Sequence, residues 1–302
     1  MTQGTKLPLP YTLVHTLRGH QGTVTTVRFN SNGNYCLSCG QDKSIKLWNP
    51  HKGVLIKTYT GHGYEVLDVA VTKDNSQIAS CGGDRQVFLW DVGTGQPIRR
   101  FKGHDSRVNC LAFNEDSSVL VSGSYDKTVK IWDCRSRSFT PIQTLSEAKD
   151  SVSSLYISSE EIITACVDGC VRNYDIRTGR LKTDFMGQPC TSVSLSNDSN
   201  CLLISSLDSS IRLLDKQSGE LLGEYKGHVN NQYKIASSLS NTDAYVVSGS
   251  EDSRICFWDL GKLVHTLKGH EKVVCGISYH PTPDTNMLAS SSQDGTVRVW
   301  GP

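Results

Sequence analysis

At 302 residues the chain has room for one or two domains, and its net charge of +1, from 31 basic and 30 acidic side chains, gives no general pull toward nucleic acid or an anionic membrane. No apolar stretch approaches the 18 or more residues of a membrane span, and the start, Met1-Thr2-Gln3-Gly4-Thr5-Lys6, lacks a secretory apolar region, so a soluble intracellular protein is expected. Eleven cysteines are an odd number in a chain too long to need disulfide staples.

Met1–Pro10 has no hydrophobic period and reads as a flexible tail, leaving 11–302 as a single domain. Leu13-Val14-His15-Thr16-Leu17-Arg18-Gly19-His20 is nearly repeated at Leu263-Val264-His265-Thr266-Leu267-Lys268-Gly269-His270. The clearest internal phrase opens at Gly103-His104 and closes with Val121-Ser122-Gly123-Ser124-Tyr125-Asp126-Lys127-Thr128-Val129-Lys130-Ile131-Trp132-Asp133. Residues before Asp126 alternate small or polar with apolar. Asp126-Lys127 supplies a tight turn, because aspartate caps its own backbone, and Thr128, Val129, Ile131 and Trp132 are strand formers. One such hairpin cannot bury its own face, so it needs copies beside it.

The copies are present. Asp126 has equivalents at Asp42, Asp84, Asp168, Asp208, Asp252 and Asp294, in steps of 42, 42, 42, 40, 44 and 42 residues. Six residues on stand Trp48, Trp90, Trp132, Tyr174, Leu214, Trp258 and Trp300, and Gly-His precedes five of the seven copies. In these features the chain resembles the WD-repeat β-propeller family over about residues 11–301. The resemblance implies an all-β, seven-bladed ring. The chain stops just after the strand ending at Trp300, while Tyr11–Leu17 reads as an outer strand without a blade. We therefore expect Tyr11–Leu17 to complete the last blade, removing both open sheet edges. Deleting Met1–Leu17 is then expected to destabilise the whole ring.

In WD-repeat proteins a His, a Ser, an Asp and a Trp of each regular repeat form one hydrogen-bonded chain. The matching sets are His20, Ser38, Asp42, Trp48; His62, Ser80, Asp84, Trp90; His104, Ser122, Asp126, Trp132; His228, Ser248, Asp252, Trp258; and His270, Ser290, Asp294, Trp300. Repeat four keeps Thr164, Asp168 and Tyr174, and repeat five keeps Asp208 alone, with Ile204 in the serine position. The chemistry is self-consistent, since a buried indole N–H needs an acceptor and imidazole can link a hydroxyl to a carboxylate. Five similar Ser-His-Asp sets around a ring are scaffolding, whereas a catalytic triad is needed once. With no other catalytic motif, the reading is no enzyme and no cofactor. Cys39 and Cys81 occupy a position that holds Gly, Ala or Ser in the other repeats, so Cys36/Cys39 and Cys166/Cys170 read as reduced packing cysteines rather than a metal site.

Function then falls to the loops. In the family, partners often bind the face carrying the Gly-His loops, through residues three and five after the His and one before the Asp. Carried over, these include Thr25, Glu65, Leu67, Arg107, Asn109, Tyr125, Tyr233 and Glu251, and Tyr and Arg lead as favoured anchors. Asp126-x-x-x-Lys130-x-Trp132-Asp133-x-Arg135 resembles the box by which some WD-repeat proteins dock on the cullin-4 ligase adaptor, with Arg135 as the contact, so a substrate receptor is the alternative reading. Basic clusters at Arg99-Arg100-x-Lys102 and Arg135-x-Arg137 stand in a near-neutral chain, and direct nucleic-acid binding is not expected. Non-repeat phrases such as Thr60-Gly61-His62-Gly63-Tyr64-Glu65-Val66-Leu67-Asp68 and Trp132-Asp133-Cys134-Arg135-Ser136-Arg137 resemble one WD-repeat subfamily. That resemblance implies a scaffold binding mitogen-activated protein kinase cascade components or splicing factors, in cytoplasm and nucleus, monomeric on its own.

Overall fold

The computed structural model describes residues 9–302, which form seven four-stranded antiparallel sheets around a central channel. Each sheet is one blade. Blade three is typical: Val108–Phe113 lines the channel, Val119–Ser124 and Val129–Asp133 follow outward, and Gln143–Leu145 is outermost. The other blades open with inner strands Val24–Phe29, Val66–Val71, Val152–Ile157, Cys190–Leu195, Ser237–Leu239 and Val274–Tyr279. In the last, Thr12–Arg18 pairs antiparallel with Thr296–Gly301, and the Tyr11 N–H donates to the Gly301 carbonyl at 2.8 Å. The ring is therefore closed by the N-terminal strand, as its orphan sequence suggests.

The tight turns follow from the repeated aspartate. Its Oδ1 accepts the N–H two residues on, at 3.2 Å for Asp42 and Ser44 and 2.9 Å for Asp126 and Thr128. The residue between lies in the left-handed region in every copy: Lys43, Arg85, Lys127, Ser209 and Ser253 at φ of 58–69°, with Gly169 and Gly295 in the remaining two. The carboxylate substitutes for the glycine such a turn usually demands.

The core lies between blades. Leu89, Phe101, Leu111 and Trp132 join blades two and three, and Leu17, Val24, Trp48 and Val297 join blade seven to blade one. Of the tail expected over Met1–Pro10, only Leu9 and Pro10 are described. Leu9 packs in the cluster of Val247, Phe257 and Trp300, because a leucine there fills the gap at the closing seam; residues 1–8 lie outside the described residues. All eleven cysteines are free thiols, and burial pushes Cys39 up to about 12.

Each inner strand but that of blade six begins with a register shift, for example between Val24 and Thr26 and between Val108 and Cys110. Such a bulge re-aims the residue it contains. Thr25 thus donates to the carbonyl of Val66 at 2.7 Å, Asn109 to that of Val152 at 2.8 Å and Ser153 to that of Cys190 at 2.6 Å, each reaching the next blade. These residues are stitches between blades.

Candidate protein-binding rim

In blade three the Trp132 N–H donates to Ser122 Oγ at 2.8 Å, Ser122 Oγ meets His104 Nε2 at 2.8 Å, and His104 Nδ1 meets Asp126 Oδ2 at 2.8 Å. The indole proton leaves the serine hydroxyl free to donate to Nε2, which puts the imidazole proton on Nδ1, against the carboxylate. Asp126 Oδ2 also accepts the Asp105 N–H at 2.9 Å, which pins the His loop to the turn. The same four-residue chain is built from His20, Ser38, Asp42 and Trp48, from His62, Ser80, Asp84 and Trp90, and from His270, Ser290, Asp294 and Trp300. Burial acts to raise the Asp126 carboxyl, but hydrogen bonds from His104 and Thr128 outweigh it and hold it well below the usual carboxylate range.

Blade six departs from the expected set His228, Ser248, Asp252, Trp258. Both His228 ring nitrogens lack partners, Ser248 donates to the Gly249 carbonyl, and the Trp258 N–H turns to the Lys226 carbonyl at 2.8 Å. Asp252 instead pairs with Arg254, at 2.8 Å to Nε. The reason is where the extra residues fall. Leu111, opposite Ser122, follows His104 by seven residues, whereas Ser237, opposite Ser248, follows His228 by nine. The lengthened loop carries the imidazole out of register, and it packs edge-on to Trp258 at 5.4 Å. In blade seven the extra residues lie in the far turn, beyond the inner strand, and the network survives there.

Blades four and five have no histidine, and an arginine four residues after the aspartate takes its place. Arg172 forks onto Asp168 at 2.6 and 3.2 Å, and Arg212 reaches Asp208 at 2.6 Å. The signal was available as Asp-x-x-x-Arg in the two copies that lack Gly-His.

With the frame's polar groups satisfied among themselves in the regular blades, the rim carries the free chemistry. Tyr125 is 50 % exposed, and the exposed Arg107 lies over its ring at 4.8 Å. Tyr64 is exposed, with Lys43 at 5.8 Å from its ring, and Tyr233 is 41 % exposed. Cation-over-aromatic pairs of this kind offer a flat apolar surface with a positive edge. Glu65 and Leu67 are half-buried on the same face. Glu65 lies over Gly83, where a Cβ would meet its carboxylate at 2.8 Å.

Three expected rim residues have other work, Thr25 among them as the stitch to the Val66 carbonyl. Asn109 is the bulge residue of blade three and spends its amide on Ser151 and Val152. Glu251 Oε1 accepts the N–H groups of Asn231, Gln232 and Tyr233 at 2.8, 2.6 and 3.1 Å, so its carboxylate folds the loop that presents Tyr233. Lys234, unremarked in the sequence, donates to the Asn109 carbonyl at 2.8 Å from blade six, spanning the channel mouth. Arg135 follows the third strand of its blade, on the opposite face from Arg107, and pairs with the exposed Asp116 at 3.1 Å.

Comparison with known proteins agrees with this geometry. The family profile described as WDR5 beta-propeller domain matches residues 16–301. WD repeat domain-containing protein 83 of Rattus norvegicus is 55 % identical over 97 % of this chain and 92 % of its own length, and that of Homo sapiens is 53 % identical with the same coverage. The Dictyostelium discoideum protein named WD repeat domain-containing protein 83 homolog is 39 % identical over 94 % of this chain and 96 % of its own length. The chain belongs to the WD-repeat β-propellers and, within them, to the WD repeat domain-containing protein 83 family.

Proposed function

We propose that this protein is a non-enzymatic scaffold that gathers other proteins on its His-loop face. The observation that supports this reading is the division of labour in the regular blades. In blades one, two, three and seven the His, Ser and Asp that could suggest catalysis are tied into a repeated frame, while Arg107 and Tyr125 stand exposed, the guanidinium over the ring. Arg and Tyr are the side chains that most often anchor protein interfaces.

The partners we propose are components of the mitogen-activated protein kinase cascade and splicing factors, in the cytoplasm and nucleus, as the subfamily phrases suggest. The cullin-4 reading has less support. Arg135, its key contact, already has a carboxylate partner in Asp116.

The test is affinity purification with mass spectrometry on wild type beside the folded triple variant Arg107→Glu/Tyr125→Ala/Tyr233→Ala. Wild type is expected to bring down kinase-cascade members or splicing factors, and the variant to lose them. Equal recovery by both proteins rejects the face. Recovery of mainly the cullin-4 adaptor, lost on Arg135→Asp, rejects the scaffold reading in favour of a substrate receptor.

A further inference from the structure

The third strand of blade three ends at Asp133 and its outer strand, Gln143–Leu145, begins late. Residues 134–142 between them swing onto blade two, where the Lys102 N–H donates to the Phe139 carbonyl at 3.4 Å. This leaves a groove of about 510 Å³ on the circumference, between that loop and the outer strand Pro97–Lys102 of blade two. Its lining is Pro97, Ile98, Arg99, Arg100, Lys102 and Phe139.

Three properties set the groove apart. The first is charge. Pro97–Lys102 has three cations and no carboxylate, and none of the other outer strands among the described residues matches that; Leu181–Phe185 offsets Lys182 with Asp184, and Leu221–Tyr225 has Glu224. Arg100 is set over the ring of Phe88 at 4.9 Å, Arg99 is held by the Asp133 carbonyl at 3.1 Å, and no carboxylate among the described residues forms an ion pair with Arg99, Arg100 or Lys102. The second is apolar exposure: Ile98 is 47 % and Phe139 60 % exposed, which edge charges placed only to repel other strands would not require. The third is the backbone. The Lys102 N–H points outward, so by the strand's period of two the main-chain groups of Arg100 face outward as well, along an edge that ends the sheet.

We propose that this groove is a second docking site, separate from the His-loop rim, for an extended carboxylate-rich peptide segment of a partner protein. The peptide adds as a strand beside Ile98–Arg100, stopping short of the Lys102 N–H that the Phe139 carbonyl already takes. Its carboxylates meet Arg100 and Lys102, and one apolar side chain seats between Ile98 and Phe139. Charge complementarity selects the acidic partner, and the open edge selects the extended form.

The test uses a fluorescein-labelled twelve-residue peptide alternating Glu and Val around one central Phe, followed by fluorescence anisotropy with the full chain. Saturable binding is expected. Arg100→Glu/Lys102→Glu should weaken it at least tenfold, Lys102→Glu alone and Phe139→Ser several-fold each, with folding checked by circular dichroism melts. Lys262→Glu on the outer strand of blade six, and the triple rim variant, should bind as wild type. The proposal is overturned by absence of saturable binding, by equal loss in Lys262→Glu, or by no effect of Phe139→Ser, which would leave only diffuse charge. Displacement by oligo-dT at the same concentration as unlabelled peptide overturns it in favour of a nucleic-acid surface. Because the rim variant is scored separately, failure here leaves the rim reading intact, and the converse holds.

Discussion

Arg172 grips Asp168 with both arms of its guanidinium while both side chains are more than nine-tenths buried. Like the histidine of blades one, two, three and seven it donates to the turn carboxylate and orients it, and unlike a neutral imidazole it also offsets the charge; the carboxylate still accepts the Lys149 N–H at 3.0 Å. Removing one partner of a buried pair leaves the other charge uncompensated, so Arg172→Ala should cost about 3–5 kcal/mol in urea denaturation. The more exposed pair Lys182–Asp184 is the control, and Lys182→Ala should cost less than about 1 kcal/mol.

The serines separate the two kinds of blade. Ser122 serves both the Trp132 indole and the His104 imidazole, so Ser122→Ala strands two buried groups at about 1–3 kcal/mol each. Ser248 serves neither, and its replacement by alanine removes only a bond to the Gly249 carbonyl, about 1 kcal/mol. Equal losses in chemical denaturation would contradict the broken network described for blade six.

Burial pushes His228 down to about 4 from 6.5, against the attraction of Asp252, Asp208 and Glu251. Its folded value lies below its unfolded one, so the unfolded chain takes up the proton first as pH falls. Stability should decline from about pH 6.5 to about pH 4, and His228→Phe should flatten part of that slope. His270, also lowered by burial despite Asp294, acts in the same sense below its ordinary value. Asp126 has the opposite sense: its lowered carboxyl stabilises the fold above the ordinary carboxylate range and loses that contribution only in stronger acid. Urea titrations from pH 7 to pH 4 read the histidine phase, and their extension below the ordinary carboxylate range reads the onset of the aspartate phase.

Glu251 gathers three consecutive N–H groups on one oxygen. In Glu251→Ala, hydrogen exchange at residues 231–233 should quicken by at least tenfold, while exchange in the strand Ile255–Asp259 stays as in wild type. Partner recovery through Tyr233 should fall with it, although Glu251 itself touches no partner in this reading.

The ring was legible because its signal is redundant: seven aspartates at near-constant spacing each specify a turn, and Thr12–Arg18 differs from the copy before Gly269-His270 hardly at all. The regular networks were legible for the same reason. Blade six was not, since a two-residue expansion shows its length in the sequence but not whether it precedes or follows the inner strand. The intramolecular contacts of Thr25, Asn109 and Glu251 were not legible, because residue type says nothing of a bulge that turns one side chain toward a neighbour, or of a loop that bends back onto a carboxylate. Arg172 and Arg212 were overlooked because the family pattern draws attention to the missing histidine rather than to what stands four residues beyond the aspartate.

The pairing of Thr12 with Gly301 bridges 289 residues. During synthesis the first strand emerges long before its partner exists, so it must wait, unpaired and apolar at Leu13 and Val14, while six blades assemble beside it. Co-translational folding of this ring can proceed blade by blade, but its closing step waits until Thr296–Gly301 is available to pair. A ribosome stalled before residue 296 would therefore hold a nearly complete arc with two sticky ends, and chaperone engagement should concentrate on that interval.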